Sequence, residues 1–164
     1  MDEVASREET LELDKEELRQ TMELLFYAYR DFTEESDVVL ARHGFGRAHH
    51  RVIYFVGRNP GISVGELLAI LKITKQSLSR VLGQLVREAF IRQHTDKRDR
   101  RRRMLFLSEK GSDLEGILTD LQCRRLGNAY QNAGGGARKG FRAVLREILN
   151  EEDRHCVGSM PGDC

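Results

Sequence analysis

From Asp96 to Met104 the chain reads DKRDRRRRM. Lys97 to Arg103 contains six basic side chains and one acid, a local charge of +5. Five arginines this close repel one another, so the partner that offsets the repulsion must be a polyanion. An arginine inserted in a duplex minor groove gains from the negative potential there, most where the groove is narrow and A·T-rich. Asp96 and Asp99 repel phosphate. Their physical use is to pair with Arg98 or Arg101 and fix the geometry of the segment. Arg100, Arg102 and Arg103 then serve as phosphate contacts or solvated charges. A solvated turn or an RNA-binding patch could use the same residues, so the elements carrying the run must decide.

Those elements can be read from caps and periodicity. Ser63 can cap a short helix, with Glu66 three residues later completing a capping box. Val64, Leu67, Leu68 and Leu71 form its apolar face. Lys72-Ile73-Thr74 is a tight connection. Thr74 can cap a second helix that buries Leu78, Val81, Leu82, Leu85 and Val86. Two short amphipathic helices joined this way form a helix-turn-helix. Residues 91–94 and 104–108 read as strands, which puts the arginine run at the tip of a hairpin. A helix-turn-helix followed by a charged hairpin is a winged helix, and duplex DNA is the expected partner. Thr74, Lys75, Gln76, Ser77, Ser79 and Arg80 then lie on the open side of the recognition helix. Lysine and arginine suit guanine O6 and N7, and glutamine suits adenine N6 and N7. A polar, solvated helix face would look the same residue by residue. Ser63, at a helix start, can offer hydroxyl and backbone N–H groups to phosphate, or cap only.

The flanks read as helices too. Leu18, Met22, Leu25, Tyr29 and Phe32 make one stripe on a helix over about 12–40. Residues 46–58 form another helix, stopped by Asn59-Pro60-Gly61. Leu114, Ile117, Leu118, Leu121 and Leu126 mark a helix over about 109–131, broken at Gly134-Gly135-Gly136. Phe141, Val144, Leu145, Ile148 and Leu149 mark the last. The fold class is mainly α with a small β wing. The expected division is a helical dimerisation region at 1–45 and 109–151, a winged helix-turn-helix at 46–108, and a mobile tail at 152–164.

Length and charge agree. A chain of 164 residues, 40% hydrophobic, suits one domain with an added assembly element. The net charge of +1 conceals strong segregation. Residues 1–37 hold 13 acids and 4 bases, whereas 38–110 hold 16 bases and 5 acids, a net +11. A polyanion should meet the middle third only. No apolar run suggests a membrane span, and no signal peptide is expected. Three cysteines, odd in number and without paired spacing, fit a reduced cytoplasm. With no nucleophile–base pair and no phosphate loop, neither an enzyme nor a cofactor is expected.

From residue 43 to 113 the sequence resembles the MarR family of bacterial transcription regulators. Asp96-x-Arg98-Asp99-x-Arg101 is similar to the family's wing signature, and SEKG at 108–111 fits the pattern at the wing's exit. The family usually has glycine where this chain has Ala89; a left-handed cap there would cost alanine roughly 1 kcal/mol. The resemblance implies Arg98 as the groove residue and Arg101 within the same DNA-binding wing. It also implies a two-fold dimer built from both chain ends. Such a dimer presents two recognition helices to a pseudo-palindromic operator, and it covers apolar stripes a lone chain would expose.

Family members often bind a small aromatic ligand that weakens DNA binding. Tyr27, Tyr29, Phe45, Tyr54 and Phe55 could line such a pocket, though most read equally as core. Some members bind zinc, but His43, His49 and His50 lack ligand spacing, and packed or partly exposed histidines are expected. Some sense oxidants through cysteine. Cys123 adjoins Arg124 and Arg125, yet helix neighbours do not share a face, so inert packing is expected. The leading expectation is a sequence-specific regulator, a repressor relieved by a ligand or other signal. The alternative is a constitutive architectural DNA-binding protein.

Overall fold

The computed structural model describes residues 14–158. The chain divides into two compact units, one ending at Glu35 and the other beginning at Ser36. Most of the first helix, α1 (Lys15–Ala41), lies in the first unit. Asp14 opens it, its Oδ1 accepting the Glu16 N–H at 3.1 Å. The stripe seen in sequence is solvent-facing: Leu18, Met22, Leu25 and Tyr29 are all exposed, Met22 to 68%.

The second unit holds α2 (Arg47–Arg58), β1 (Ile62–Ser63), α3 (Val64–Leu71), α4 (Lys75–Arg87), β2 (Ile91–Thr95), β3 (Arg103–Leu107), α5 (Glu109–Ala133) and α6 (Ala137–Ile148). A 3-10 turn, Glu151–Asp153, follows. Compactness therefore groups α5 and α6 with the winged helix. The three strands form an antiparallel sheet in the order β1-β3-β2. β1 does not stand out in the sequence. Its two residues pair with β3, Ile62 opposite Leu105 and Ser63 opposite Met104, and fasten the start of α3 to the wing. The hairpin keeps register from Ile91 opposite Leu107 to Thr95 opposite Arg103.

One core unites these elements. Val52, Ile53 and Val56 of α2, Leu67 of α3, Leu78, Val81, Leu82 and Leu85 of α4, Leu105 of β3, and Leu114 and Leu118 of α5 are buried together. Val64, Leu68, Ile70 and Leu71 of α3, and Val86 of α4, pack partly buried at its edge. Ridges of aliphatic side chains at helical spacing thus hold α4 against α2 and the sheet. α6 differs. Phe141, Val144, Leu145 and Ile148 are exposed, so its apolar face has no cover within this unit.

The end of α4 is built tightly. Ala89 has φ +62°, the left-handed conformation expected of the family's glycine. The Phe90 N–H reaches the Leu85 carbonyl at 2.9 Å and the Ala89 N–H reaches the Val86 carbonyl at 3.1 Å, the bonding pattern of a Schellman cap. Phe90 is buried and supplies the cap's apolar contact. Ser108 returns to the same place: its Oγ donates to the Ala89 carbonyl at 2.6 Å, and its N–H donates to the Phe90 carbonyl at 2.9 Å. Gly111 sits so close that an added Cβ would lie 2.1 Å from the Phe90 oxygen.

Two substitutions should therefore move stability in opposite directions. Ala89→Gly relieves the left-handed strain but gains unfolded-chain entropy, for a net stabilisation of about 0.5–1 kcal/mol. Gly111→Ala must displace backbone and should cost about 3 kcal/mol or more. Urea unfolding curves of both variants check the signs. A destabilised Ala89→Gly would mean the left-handed turn is not strained.

Candidate nucleic-acid interface

α4 presents its candidate contacts as one polar face. Thr74, Lys75, Gln76, Ser77, Ser79 and Arg80 are all exposed, opposite the buried Leu78, Val81 and Leu82. Two of the hydroxyls are already employed. Thr74 is the N-cap: its Oγ1 accepts the Ser77 N–H at 3.1 Å and lies 2.8 Å from the Ser77 Oγ. The outward polar positions left on the first two turns are Lys75, Gln76, Ser79 and Arg80, an arrangement that suits groove edges and phosphates.

The wing is organised by its two aspartates, in a way the sequence suggested only in part. Each takes a backbone N–H and not a guanidinium among the described residues. Asp96 Oδ1 accepts from the Arg98 N–H at 2.8 Å, and Asp99 Oδ1 accepts from the Arg101 N–H at 2.9 Å. These are two successive Asx turns. The Asp96 N–H closes the tip on the Arg102 carbonyl at 3.0 Å, and the Arg102 N–H closes on the Asp99 carbonyl at 2.9 Å. The aspartates thus fold the loop and leave the side chains of Arg98, Arg100, Arg101 and Arg103 exposed.

Arg102 has a different place. Its guanidinium lies 3.3 Å from Glu66 Oε1, bracing the wing on the first turn of α3. Glu66 is also half of the α3 capping box, accepting the Ser63 N–H at 2.8 Å and the Ser63 hydroxyl at 2.6 Å. The bonds from Ser63 hold the Glu66 carboxyl below its ordinary pKa, and Arg102 adds to the effect. Ser63 itself is buried and its hydroxyl accepts the Glu66 N–H, so this side chain is a cap.

His49, expected only to pack or to be partly exposed, joins α2 to the recognition helix. His49 Nδ1 accepts the Gly46 N–H at 3.2 Å, which leaves Nε2 as the donor to Gln84 Oε1 at 2.9 Å. Gln84 in turn donates to Glu88 Oε1 at 2.9 Å. Phe45 stacks flat on His49 with centroids 4.8 Å apart. His43 sits edge-on to Phe90. Among the described residues no cluster of His, Cys, Asp or Glu could hold a metal ion. No single local pattern could have revealed the His49 chain, whose partners are 35 positions apart.

The aromatic candidates for a ligand surface are divided between the two units. Phe45 is core, packed on Phe90 at 5.0 Å. Tyr54 and Phe55 meet edge-on at 5.2 Å on α2 and are partly buried. Tyr27 and Tyr29 belong to the first unit and are half exposed. Cys123 is an exposed thiol on α5.

Residues 43–102 match the MarR family. Over 143 residues the chain is 44% identical to the HTH-type transcriptional regulator PetP of Rhodobacter capsulatus, covering 87% of this chain and 86% of that one. The chain belongs to the MarR family. The fold agrees with solved members. The crystal structure of MarR superposes with a TM-score of 0.65 at 22% identity, covering 87% of this chain and 95% of that one. A MarR-family regulator from Listeria monocytogenes complexed with 26mer DNA gives 0.68 at 18% identity, covering 77% and 85%. The MepR–DNA complex of S. aureus gives 0.64 at 17% identity, covering 77% and 93%.

His50 gives this MarR-family chain a defined acid sensitivity. Burial pushes its pKa below the ordinary value of 6.5, against the opposing pull of Asp37 and Glu115. The folded chain keeps it neutral where the unfolded chain takes up a proton. Its contribution is complete above pH 6.5 and is lost as pH falls from there toward the lowered folded value. The slope cannot exceed about 1.4 kcal/mol per pH unit. Urea melts at pH 7.5 and 5.5 should show a larger stability loss for the wild type than for His50→Gln. Equal losses would show that His50 is not the sensitive group.

Proposed function

We infer that this chain is a dimeric, sequence-specific double-stranded DNA-binding transcription regulator, acting as a repressor. The observation that carries the reading is the joint geometry of α4 and the wing. One compact unit presents Lys75, Gln76, Ser79 and Arg80 on one element and exposed arginines on another; β1, Glu66 and Arg102 fasten the wing to the start of α3, and Ser108 ties its base to the end of α4. That construction suits simultaneous reading of a major groove and a flanking minor groove. The named regulator PetP and the two DNA-bound relatives support it. Arg98 is the groove residue, held by the Asx turn of Asp96. Arg100, Arg101 and Arg103 serve phosphates, and Arg102 divides its charge between phosphate and Glu66.

The dimer uses the exposed apolar faces of α1 and α6, since a chain leaving Met22, Phe141 and Ile148 uncovered gains by association. Two copies then place their recognition helices in successive major grooves, about 34 Å apart, on a pseudo-palindromic operator. A small aromatic effector is the proposed relieving signal. Tyr54 and Phe55 are the partly buried aromatic surface that the second unit offers it. No helix of the described residues is long and apolar enough to cross a membrane, and a cytoplasmic site of action is part of the proposal.

Light scattering should give about twice the 18.8 kDa chain mass at micromolar concentration. On DNA, roughly 6–10 neutralised phosphates should reduce affinity by about 10³–10⁵ between 50 and 200 mM salt. A dissociation constant that barely moves would remove the basic third as the binding surface.

The Asx turns make a sharper prediction for the wing. Asp96→Ala deletes the acceptor for the Arg98 N–H, so binding should weaken although positive charge increases. Asp96→Asn keeps an acceptor oxygen and also removes the negative charge, so it should bind at least as well as wild type. Fluorescence anisotropy on one duplex at fixed salt ranks the three proteins. If both variants bind more tightly, Asp96 does not orient the wing.

A further inference from the structure

Lys72 stands between α3 and α4 in the left-handed conformation, φ +48° and ψ +41°. Glycine or asparagine would meet that backbone requirement with less strain. The chain carries lysine, and its ammonium is engaged. Nζ lies 2.7 Å from Glu152 Oε1 and 2.8 Å from Asp153 Oδ2. The two carboxylates hold the ammonium's pKa well above its ordinary value. They belong to the 3-10 turn Glu151–Asp153, 80 positions further along the chain and just beyond α6. Part of the segment expected to be a loose tail is therefore placed against the helix-turn-helix. Residues 159–164 lie outside the described residues.

The location decides what this contact can do. Lys72 is two residues before Thr74, the N-cap of the recognition helix, and three before the exposed Lys75. Three consecutive acids, Glu151, Glu152 and Asp153, are thus brought to the mouth of a segment whose net charge is +11. Two carboxylate oxygens at hydrogen-bond distance from one ammonium occupy the positions that phosphate oxygens would take. All three side chains are solvent-accessible, so exchange of one oxyanion for another needs no rearrangement of the core.

We propose that Lys72 is a further DNA-phosphate contact, and that the chain's own Glu152 and Asp153 cover it as an internal phosphate mimic. The proposal rests on the DNA-binding reading above. In the free protein the acidic turn neutralises Lys72 and lowers the potential at the start of α4. When DNA binds, a phosphate displaces the carboxylates and the acidic turn moves off. Affinity for DNA is therefore set partly by a segment beyond the winged helix.

A double-mutant cycle separates this from a general effect of charge. The proteins are wild type, Glu152→Gln/Asp153→Asn, Lys72→Met, and the combination of all three substitutions in the full-length chain. The probe is a fluorescent mixed-sequence 30-bp duplex, because a phosphate contact acts on any sequence. Uncovering Lys72 should tighten binding by about 3–10-fold and steepen the salt dependence by about one released ion per subunit. The same pair of substitutions in the Lys72→Met protein should change affinity less than about twofold. Failure of Glu152→Gln/Asp153→Asn to tighten binding would overturn the proposal. So would an equal gain in the Lys72→Met background, which would mark a long-range charge effect alone. If wild type shows no salt-dependent binding, the DNA-binding reading itself falls and takes the covered lysine with it.

Discussion

Four groups meet at the end of the recognition helix, and the geometry of the winged helix depends on their fit. Ala89 turns left-handed, which lets the Phe90 N–H reach back to Leu85. The carbonyls of Ala89 and Phe90 then face Ser108, which bonds both while its Oγ also accepts the Gly111 N–H at 3.0 Å. One hydroxyl thus terminates α4, starts α5 and anchors the base of the hairpin. Gly111 is required because α5 must pass the Phe90 oxygen with no side chain between. The strain accepted at Ala89 is repaid by satisfied backbone groups at three element ends. Angles between recognition helix, wing and α5 follow from this one junction. A DNA reader needs those angles fixed before it meets its ligand, or ordering them would be charged against affinity.

The wing solves a different problem, which is like-charge repulsion in a short loop. Counter-charges on the arginines would have relieved it but would have occupied the guanidinium groups. The two aspartates instead spend their acceptors on the N–H groups of Arg98 and Arg101. The loop is held by its backbone while most guanidinium groups stay outward. Only Arg102 is drawn inward, toward Glu66, and Glu66 is simultaneously satisfied by Ser63. The wing is therefore tied to the first turn of α3 by an ion pair and by the β1–β3 pairing, two independent restraints on one hinge.

Much of this could be read in the sequence, and the division between what could and could not is physical. Caps are local: Ser63 with Glu66, and Thr74, announce helix starts through groups only three residues apart, and the structure contains both. Apolar periodicity is local too, and it placed Leu78, Val81, Leu82 and Leu85 in the core. Ala89 was readable as a left-handed position only through the family resemblance. β1 is not legible in the sequence because two residues carry no period, and only their pairing with β3 defines it. For the aspartates, the task of fixing the hairpin and the partner residues Arg98 and Arg101 are legible in the sequence, but the bonded group is not. Side-chain charge suggests guanidinium, whereas the spacing of two residues favours the backbone N–H. His49 with Gln84 and Lys72 with Glu152 are separated by 35 and 80 positions, beyond any periodicity.

Charge segregation along the chain takes on a different meaning once folded. The acids between 111 and 164 nearly cancel the bases of that stretch, which in sequence looks inert. Folding keeps Glu147 with Arg154 but directs two of the other acids elsewhere. Glu152 and Asp153 are carried to Lys72, while Phe141, Val144, Leu145 and Ile148 of α6 stay on an exposed apolar face just before them. The same short segment thus combines a surface suited to association with a charge set suited to oppose phosphate. Any event that repositions α6 moves the acidic turn as well, because only Leu149 and Asn150 separate the two. A link of two residues leaves little slack to absorb such a shift. The exposed face of α6 and the electrostatics of the helix-turn-helix are therefore mechanically coupled through the chain itself.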